Sequence, residues 1–272
     1  MRAAICQLNA GDDDVESNVV TAERLIGEAA DSGADLAVLP ELFAYYGSQR
    51  RMRQLAEPVG GPITSRLAAL ARARSMWVLG GSVCESADGR VYNTSLLFDR
   101  AGDVVARYRK IHLYDAELPG QRPIRESSLF SAGDEVVTHD VEGFRLGMSI
   151  CYDLRFPELY RGLMTSGAVV LAVPSAFQAV TGAAHWEALL RARAIEEQSY
   201  VLAAAQWGPW GPPDAGHRTF GNAMIVDPWG SIVVRAPDEA DGVWFAELDA
   251  GEVRAVRTRL PALSHRRLGN AC

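Results

Sequence analysis

Cys151 is the residue whose setting first suggests chemistry. It follows Phe144-Arg145-Leu146-Gly147-Met148-Ser149-Ile150, which reads as a strand, and precedes Tyr152-Asp153-Leu154-Arg155-Phe156-Pro157, where Pro157 suits the first turn of a helix. A strand that bends into a helix points the bend residue out at the sheet edge and offers the next backbone N–H groups to an anion. A thiol there is placed for nucleophilic attack, and the nearby helix start is expected to lower its pKa. Free cysteine is also among the most buried residue types, so the elbow taken alone fits a structural thiol too. Glu41 follows the apolar run Leu36-Ala37-Val38-Leu39 and Pro40, at the carboxyl end of a strand, where a general base is well placed; alone it also fits an ordinary turn acid.

Lys110 stands out by composition. Of the 27 basic residues, 26 are arginine and Lys110 is the single lysine. Lysine is a compact charge with movable protons, whereas arginine is broad, planar and effectively never deprotonated, so a tight oxyanion site can require the former. It ends another strand, in Tyr108-Arg109-Lys110-Ile111-His112. Glu126, in Arg125-Glu126-Ser127-Ser128, reads by itself as a loop carboxylate and draws interest from the other three.

Several other chemistries are excluded by inspection. The chain has no Gly-x-Ser-x-Gly elbow, no Walker-type phosphate loop and no His-Glu-x-x-His, and its five histidines stand far apart. The four cysteines, Cys6, Cys84, Cys151 and Cys272, have neither zinc-ribbon nor disulfide-framework spacing, so reduced thiols are expected. A net charge of −7 argues against nucleic acid as a partner, and no apolar run approaches membrane-spanning length. The first nine residues are too short and too soon polar for a signal segment. These readings place the protein in the cytoplasm with no metal and no organic cofactor.

The elements that must position these residues read as α/β, with one domain over 1–272 and a tail from about 258 to 272. Residues 3–8 form a first strand. Asp12, Asp13 or Asp14 caps a helix to about residue 31, and a second helix runs from Gly60-Gly61-Pro62 to about Arg74. Trp77 to Cys84 and Val91 to Phe98 read as strands joined at Asp88-Gly89, His185 to Ser199 as a helix, Tyr200 to Ala205 as a strand, and 208–214 as a loop. The second half echoes the first: Gly33 to Pro40 resembles Gly167 to Pro174, and Ser95 to Gly102 resembles Ala223 to Gly230. Two similar halves suggest two sheets packed face to face with helices outside, a four-layer α-β-β-α sandwich with internal pseudo-symmetry.

From end to end the chain resembles the nitrilase superfamily of carbon-nitrogen hydrolases. The likeness is carried by Leu39-Pro40-Glu41-Leu42-Phe43, Tyr108-Arg109-Lys110-Ile111-His112-Leu113 and Ile150-Cys151-Tyr152-Asp153-Leu154-Arg155-Phe156-Pro157-Glu158. The resemblance implies that Glu41, Lys110 and Cys151 are the catalytic triad, with Glu126 as the additional glutamate beside it, and that the protein is a homodimer or higher homo-oligomer paired through outer helices and tails. Val173 to Phe177 and Thr181 to Glu187 look like the Nit branch of amidases, closest to deaminated glutathione amidases. The related ω-amidases tend to have glycine where this chain has Ser175. The implied reaction is hydrolysis of a small carboxylate-bearing amide through a thioester, with the Tyr152 backbone N–H at the oxyanion and Tyr45, Arg155 and Phe177 against the substrate. Other readings are an ω-amidase acting on α-ketoglutaramate, a hydrolase of other carbamoyl compounds or nitriles, and a non-catalytic scaffold. A papain-like hydrolase would need His112 or His185 as partner, and neither lies in that family's context.

Overall fold

The computed structural model describes residues 1–11, 14–118, 120 and 122–268. Strand Arg2–Leu8 lies inside a nine-stranded sheet, parallel to Leu36–Val38 on one side and antiparallel to Gly242–Glu247 on the other; its carboxyl end pairs in parallel with Ala205–Pro209. Alternation along the strand assigns its faces. Ala3 and Ile5 join an apolar cluster shared with the second sheet, whereas Ala4, Cys6 and Leu8 join another with Val19, Leu25 and Ile26 of helix Val15–Asp31. Leu36 and Val38 part from Ala37 and Leu39 in the same way. The second sheet has six strands, and Leu159, Tyr160 and Leu163 of helix Pro157–Thr165 pack on it with Trp186, Leu190 and Ala194 of helix Ala179–Glu197. The layers are therefore helix, sheet, sheet, helix, as the sequence suggests.

The internal echo is a repeat of topology. Arg2–Leu8, Leu36–Val38 and Trp77–Leu79 are parallel neighbours followed by antiparallel Arg90–Phe98 and Val104–Arg109. Phe144–Met148, Val170–Ala172 and Tyr200–Ala203 are parallel neighbours followed by antiparallel Met224–Val226 and Ile232–Arg235. Even the turns match: the Asp99 N–H donates to the Asp103 carbonyl at 3.0 Å and the Asp227 N–H to the Ser231 carbonyl at 2.9 Å, with Gly102 and Gly230 at φ +80° and +89°.

Several boundaries differ from the sequence reading. The expected strand Trp77 to Cys84 breaks into Trp77–Leu79 and Val83–Ala87 at Gly80-Gly81, because Gly81 takes φ +53° and passes against the Pro40 carbonyl, where a Cβ would lie 2.0 Å from its oxygen. The expected strand Tyr200 to Ala205 ends at Ala203, and Ala205–Pro209 crosses to the first sheet. The helix expected from His185 begins at Ala179. Helix Gln49–Gln54 and the hairpin of Asp115–Ala116 with Ile124–Arg125 carry too few periodic residues to have been read. The helix cap at Val15 is Asp14, whose side chain accepts from the Ser17 N–H at 3.0 Å; Asp12 and Asp13 lie outside the described residues. Part of the tail from 258 is the end of helix Ala250–Arg259, and residues 269–272, Cys272 included, also lie outside them.

Candidate active site

Glu41, Lys110 and Glu126 form one buried hydrogen-bonded cluster. Lys110 Nζ donates to Glu41 Oε1 at 2.8 Å and to Glu126 Oε1 and Oε2 at 3.0 and 2.8 Å. Each carboxylate is fixed by further donors. Glu41 Oε1 accepts from Asn93 Nδ2 at 2.8 Å and Oε2 from the Ala176 N–H at 2.9 Å, while Glu126 Oε2 accepts from the Tyr114 N–H at 2.8 Å. Ala176 follows Ser175, which stands after Pro174 as Glu41 does after Pro40. The pseudo-equivalent strand ends of the two halves thus meet at this carboxylate. The crossing strand reinforces the junction, since Gln206 Nε2 donates to the Glu41 carbonyl at 2.6 Å.

Cys151 occupies the elbow in a left-handed conformation, φ +47°, which costs an L-residue about 1–2 kcal/mol and is held here by surrounding bonds. Its N–H donates to the Pro174 carbonyl at 2.9 Å, and a 3-10 turn Cys151–Arg155 follows. Asp153 ties this elbow to the Lys110 segment. Its buried carboxylate accepts from the Ile150 N–H at 2.9 Å, the Tyr108 hydroxyl at 2.7 Å and the His112 N–H at 3.0 Å, and lies 2.7 Å from His112 Nδ1. On the outer side, Arg193 braces the turn by donating from Nε and Nη2 to the Leu154 carbonyl at 3.1 and 2.8 Å.

The electrostatics differ from those of a preformed thiolate. Burial pushes the Cys151 thiol well above its ordinary value, and the Glu41 carboxylate, in hydrogen-bond contact with it, adds to the shift against the opposing charge of Lys110. A helix start would lower the thiol, but Cys151 opens only a short 3-10 turn, and burial and the Glu41 carboxylate act in the opposite direction. Burial pulls the Lys110 ammonium down, but Glu126 and Glu41 more than offset it and hold it well above the usual lysine range. Burial, with Glu41 nearby, raises Glu126 despite its bonds to Lys110. The site therefore sets a buried thiol near the Glu41 carboxylate, with the Lys110 ammonium fixed between two acids.

Above Cys151 lies a narrow cleft of about 10 Å³, walled by Tyr46, Tyr114, Tyr152, Arg155, Phe177 and Gln178. It adjoins a cavity of about 310 Å³ with which it shares Tyr46 and Glu126.

A family model described as "Carbon-nitrogen hydrolase" matches residues 2–258. The chain belongs to that family. This carbon-nitrogen hydrolase is 42% identical over 271 residues to a deaminated glutathione amidase of Bos taurus, across 97% of this chain and 81% of the relative. It is 36% identical over 250 residues to omega-amidase NIT2 of Homo sapiens, across 92% of this chain and 89% of the relative. Among solved structures, Nit3 of Saccharomyces cerevisiae, a member of branch 10 of the nitrilase superfamily, matches with a TM-score of 0.87 at 30% identity, covering 98% of this chain and 97% of that one. The resemblance to the nitrilase superfamily is thereby borne out.

Within this carbon-nitrogen hydrolase, Glu41, Lys110, Glu126 and Cys151 come together, and Tyr152, Arg155 and Phe177 line the cleft beside them. Arg155 stacks its guanidinium 4.8 Å from the Phe177 ring and lies 3.2 Å from His185 Nδ1; among the described residues no carboxylate pairs with it. Tyr45 does not reach the cleft. Its hydroxyl accepts from the Ser48 N–H at 3.0 Å and its ring packs with Leu42 and Met52, because Leu42, at φ +49°, turns the chain so that the next residue, Tyr46, lines the cleft instead. Ser175, the sequence's discriminator between amidase branches, is fully buried and donates to the Val173 carbonyl at 3.2 Å, and it does not line the cleft. Sequence reasoning missed Asp153, Asn93, Tyr114 and Gln206. Asp153 carried a signal, an acid inside the Cys151 motif between Tyr152 and Leu154, whereas Asn93, followed by Thr94 and Ser95 and far from any motif, carried none.

Proposed function

We propose that the protein is a cysteine-dependent amidase that hydrolyses a small carboxylate-bearing amide, deaminated glutathione in particular, through a thioester on Cys151. One observation carries this reading: Cys151 and Glu41 line one cleft, and Lys110 is locked there between Glu41 and Glu126. Glu41 takes the thiol proton as sulfur attacks the carbonyl carbon, and the tetrahedral oxyanion is held by Lys110 and the Tyr152 N–H. Glu41 returns the proton to the leaving nitrogen as the C–N bond breaks, then takes one from the water that cleaves the thioester. Glu126 orients Lys110, and Arg155, free of a carboxylate partner among the described residues, offers a fork to the substrate's own carboxylate. The likeness to omega-amidase NIT2 supports α-ketoglutaramate as a second substrate reading.

The deciding experiment exposes the protein to each substrate, follows release of cysteinylglycine, ammonia and 2-oxoglutarate, and weighs the protein after rapid quenching. An acyl mass on Cys151, absent from Cys151→Ala together with turnover, is the expected result. Undiminished turnover by Cys151→Ala would sink the mechanism. Three unpaired buried cysteines, Cys6, Cys84 and Cys151, support a cytoplasmic setting. Exposed Ile195, Trp229 and Leu260 on the outer helical side support pairing of two copies there.

A further inference from the structure

Lys110 and Cys151 come from different sheets, and each stands beyond the end of its strand, Lys110 after Val104–Arg109 and Cys151 after Phe144–Met148. No ladder joins the two strands, yet the thiol must attack and the ammonium must receive the charge at one carbonyl, where a misplacement of about 1 Å can cost about a hundredfold in rate. One carboxylate spans the gap. Asp153 is wholly buried and does not line the cleft. Its Oδ2 accepts from the N–H of Ile150, the residue before Cys151, at 2.9 Å, and from the hydroxyl of Tyr108, two residues before Lys110, at 2.7 Å. Its Oδ1 accepts from the N–H of His112, two residues after Lys110, at 3.0 Å and lies 2.7 Å from His112 Nδ1. An ionised carboxylate only accepts, so Nδ1 carries the hydrogen. The Tyr108 hydroxyl accepts in turn from the Ile111 N–H at 3.4 Å, which closes the chain around Lys110.

These donors take up the carboxylate's acceptor sites, about four in all, so Asp153 keeps none for a substrate and acts through the groups it holds. Ring packing adds to the grip. The Phe156 ring stacks on His112, with centroids 3.7 Å and planes 5° apart, and meets Tyr152, a wall of the cleft, at 5.3 Å. We propose that Asp153, with Tyr108 and His112, is a positioning unit that sets the Lys110 ammonium and the Cys151 thiol against one carbonyl. The inference rests on the amidase reading above and adds residues that the reaction needs although they do not touch the substrate. Loss of the unit harms the step that needs both groups, formation of the tetrahedral oxyanion, and spares a reaction of the thiol alone.

Tyr108→Phe deletes one donor and is expected to lower kcat, on the better of deaminated glutathione and α-ketoglutaramate, about tenfold, with KM and the rate of Cys151 alkylation by iodoacetamide within about twofold of the wild type. His112 separates bond from packing. His112→Asn keeps an N–H near the place of Nδ1 and loses the stack, whereas His112→Phe keeps the stack and loses the N–H, so His112→Asn is expected to retain the higher kcat. Asp153→Asn turns an NH2 group toward two of the donors and is expected to lower kcat at least about a hundredfold; adding Tyr108→Phe to it costs less than about twofold more, because both act through one carboxylate. Where Asp153→Asn does not fold, the variants at Tyr108 and His112 decide. Unchanged turnover in Tyr108→Phe, turnover and alkylation that fall together by one factor, or a higher kcat in His112→Phe than in His112→Asn overturns the positioning unit while leaving the amidase intact. No acyl mass on Cys151 of the wild type from either compound overturns the amidase reading itself, and the positioning unit with it.

Discussion

Lys110 donates to both carboxylates with its side chain wholly buried, so its replacement is constrained in shape as well as charge. An arginine would bring a planar fork into a space closed by Glu41 and Glu126 and would move the positive charge away from the oxyanion position. Lys110→Arg is therefore expected to lower kcat at least a hundredfold, in keeping with about 3–4 kcal/mol for a lost oxyanion donor, while circular dichroism stays that of the wild type. A folded, fully active variant would return this lysine to an accident of composition. The thiol gives a second prediction. Because burial and Glu41 raise the Cys151 pKa, the resting thiol stays protonated through neutral pH, and alkylation of the free enzyme by iodoacetamide is expected to accelerate beyond pH 9. A plateau below pH 8 would reveal a resident thiolate and remove the need for Glu41 as base. At this scale the sequence was legible where residue type was rare or bonded to a motif, as at Lys110 and Cys151. It was illegible where an irregular backbone aims a side chain: nothing in Ala44-Tyr45-Tyr46 tells which tyrosine enters the cleft once Leu42 has turned left-handed.

Glu41 is aimed by an element that the sequence conceals. Trp77 to Cys84 reads as one continuous strand, but the chain breaks at Gly80-Gly81 to let the Pro40 carbonyl through, and the Ser82 hydroxyl beyond the break accepts from the Leu42 N–H at 2.9 Å. Local periodicity cannot show this, because the cause is a backbone 40 residues away. Two glycines separate conformational strain from crowding. Gly89 has φ +73° and open space where a Cβ would stand, with no atom within 4 Å, whereas at Gly81, φ +53°, a Cβ would lie 2.0 Å from the Pro40 oxygen. Gly89→Ala is expected to cost about 1–2 kcal/mol of stability and leave turnover alone. Gly81→Ala must displace the Pro40-Glu41 backbone as well, so its melting temperature falls further and kcat drops at least tenfold. Thermal unfolding and steady-state rates on the two variants check this; equal losses in both would show that Gly81 acts through its own torsion and does not position Glu41.

At the scale of the whole molecule, two topologically equivalent halves stack so that their strand ends converge, and chemistry resides at the seam: Glu41 comes from one half and the Ala176 N–H that orients it from the other. The outer layer of the second half then has two duties. Helix Ala179–Glu197 supports the Cys151 elbow through Arg193, and on its far side it exposes Ile195 beside the turn at Trp229, with Ile195 against Gly230. Leu260 adjoins the same helix end, where Gln198 Nε2 donates to its carbonyl at 2.6 Å. Apolar residues grouped in this way fit an interface between two copies better than a solvent face. If two copies pair there, association stiffens the helix that braces the nucleophile. In that case the wild type is expected to sediment as a dimer or larger, and the double variant Ile195→Asp with Trp229→Asp as a monomer. Its kcat should fall severalfold with little change in KM, because the helix that carries Arg193 loses the stiffening of the interface while the cleft walls keep their residues. A monomeric variant with wild-type kcat would uncouple assembly from the elbow, and a variant that sediments like the wild type would move the interface elsewhere on the surface.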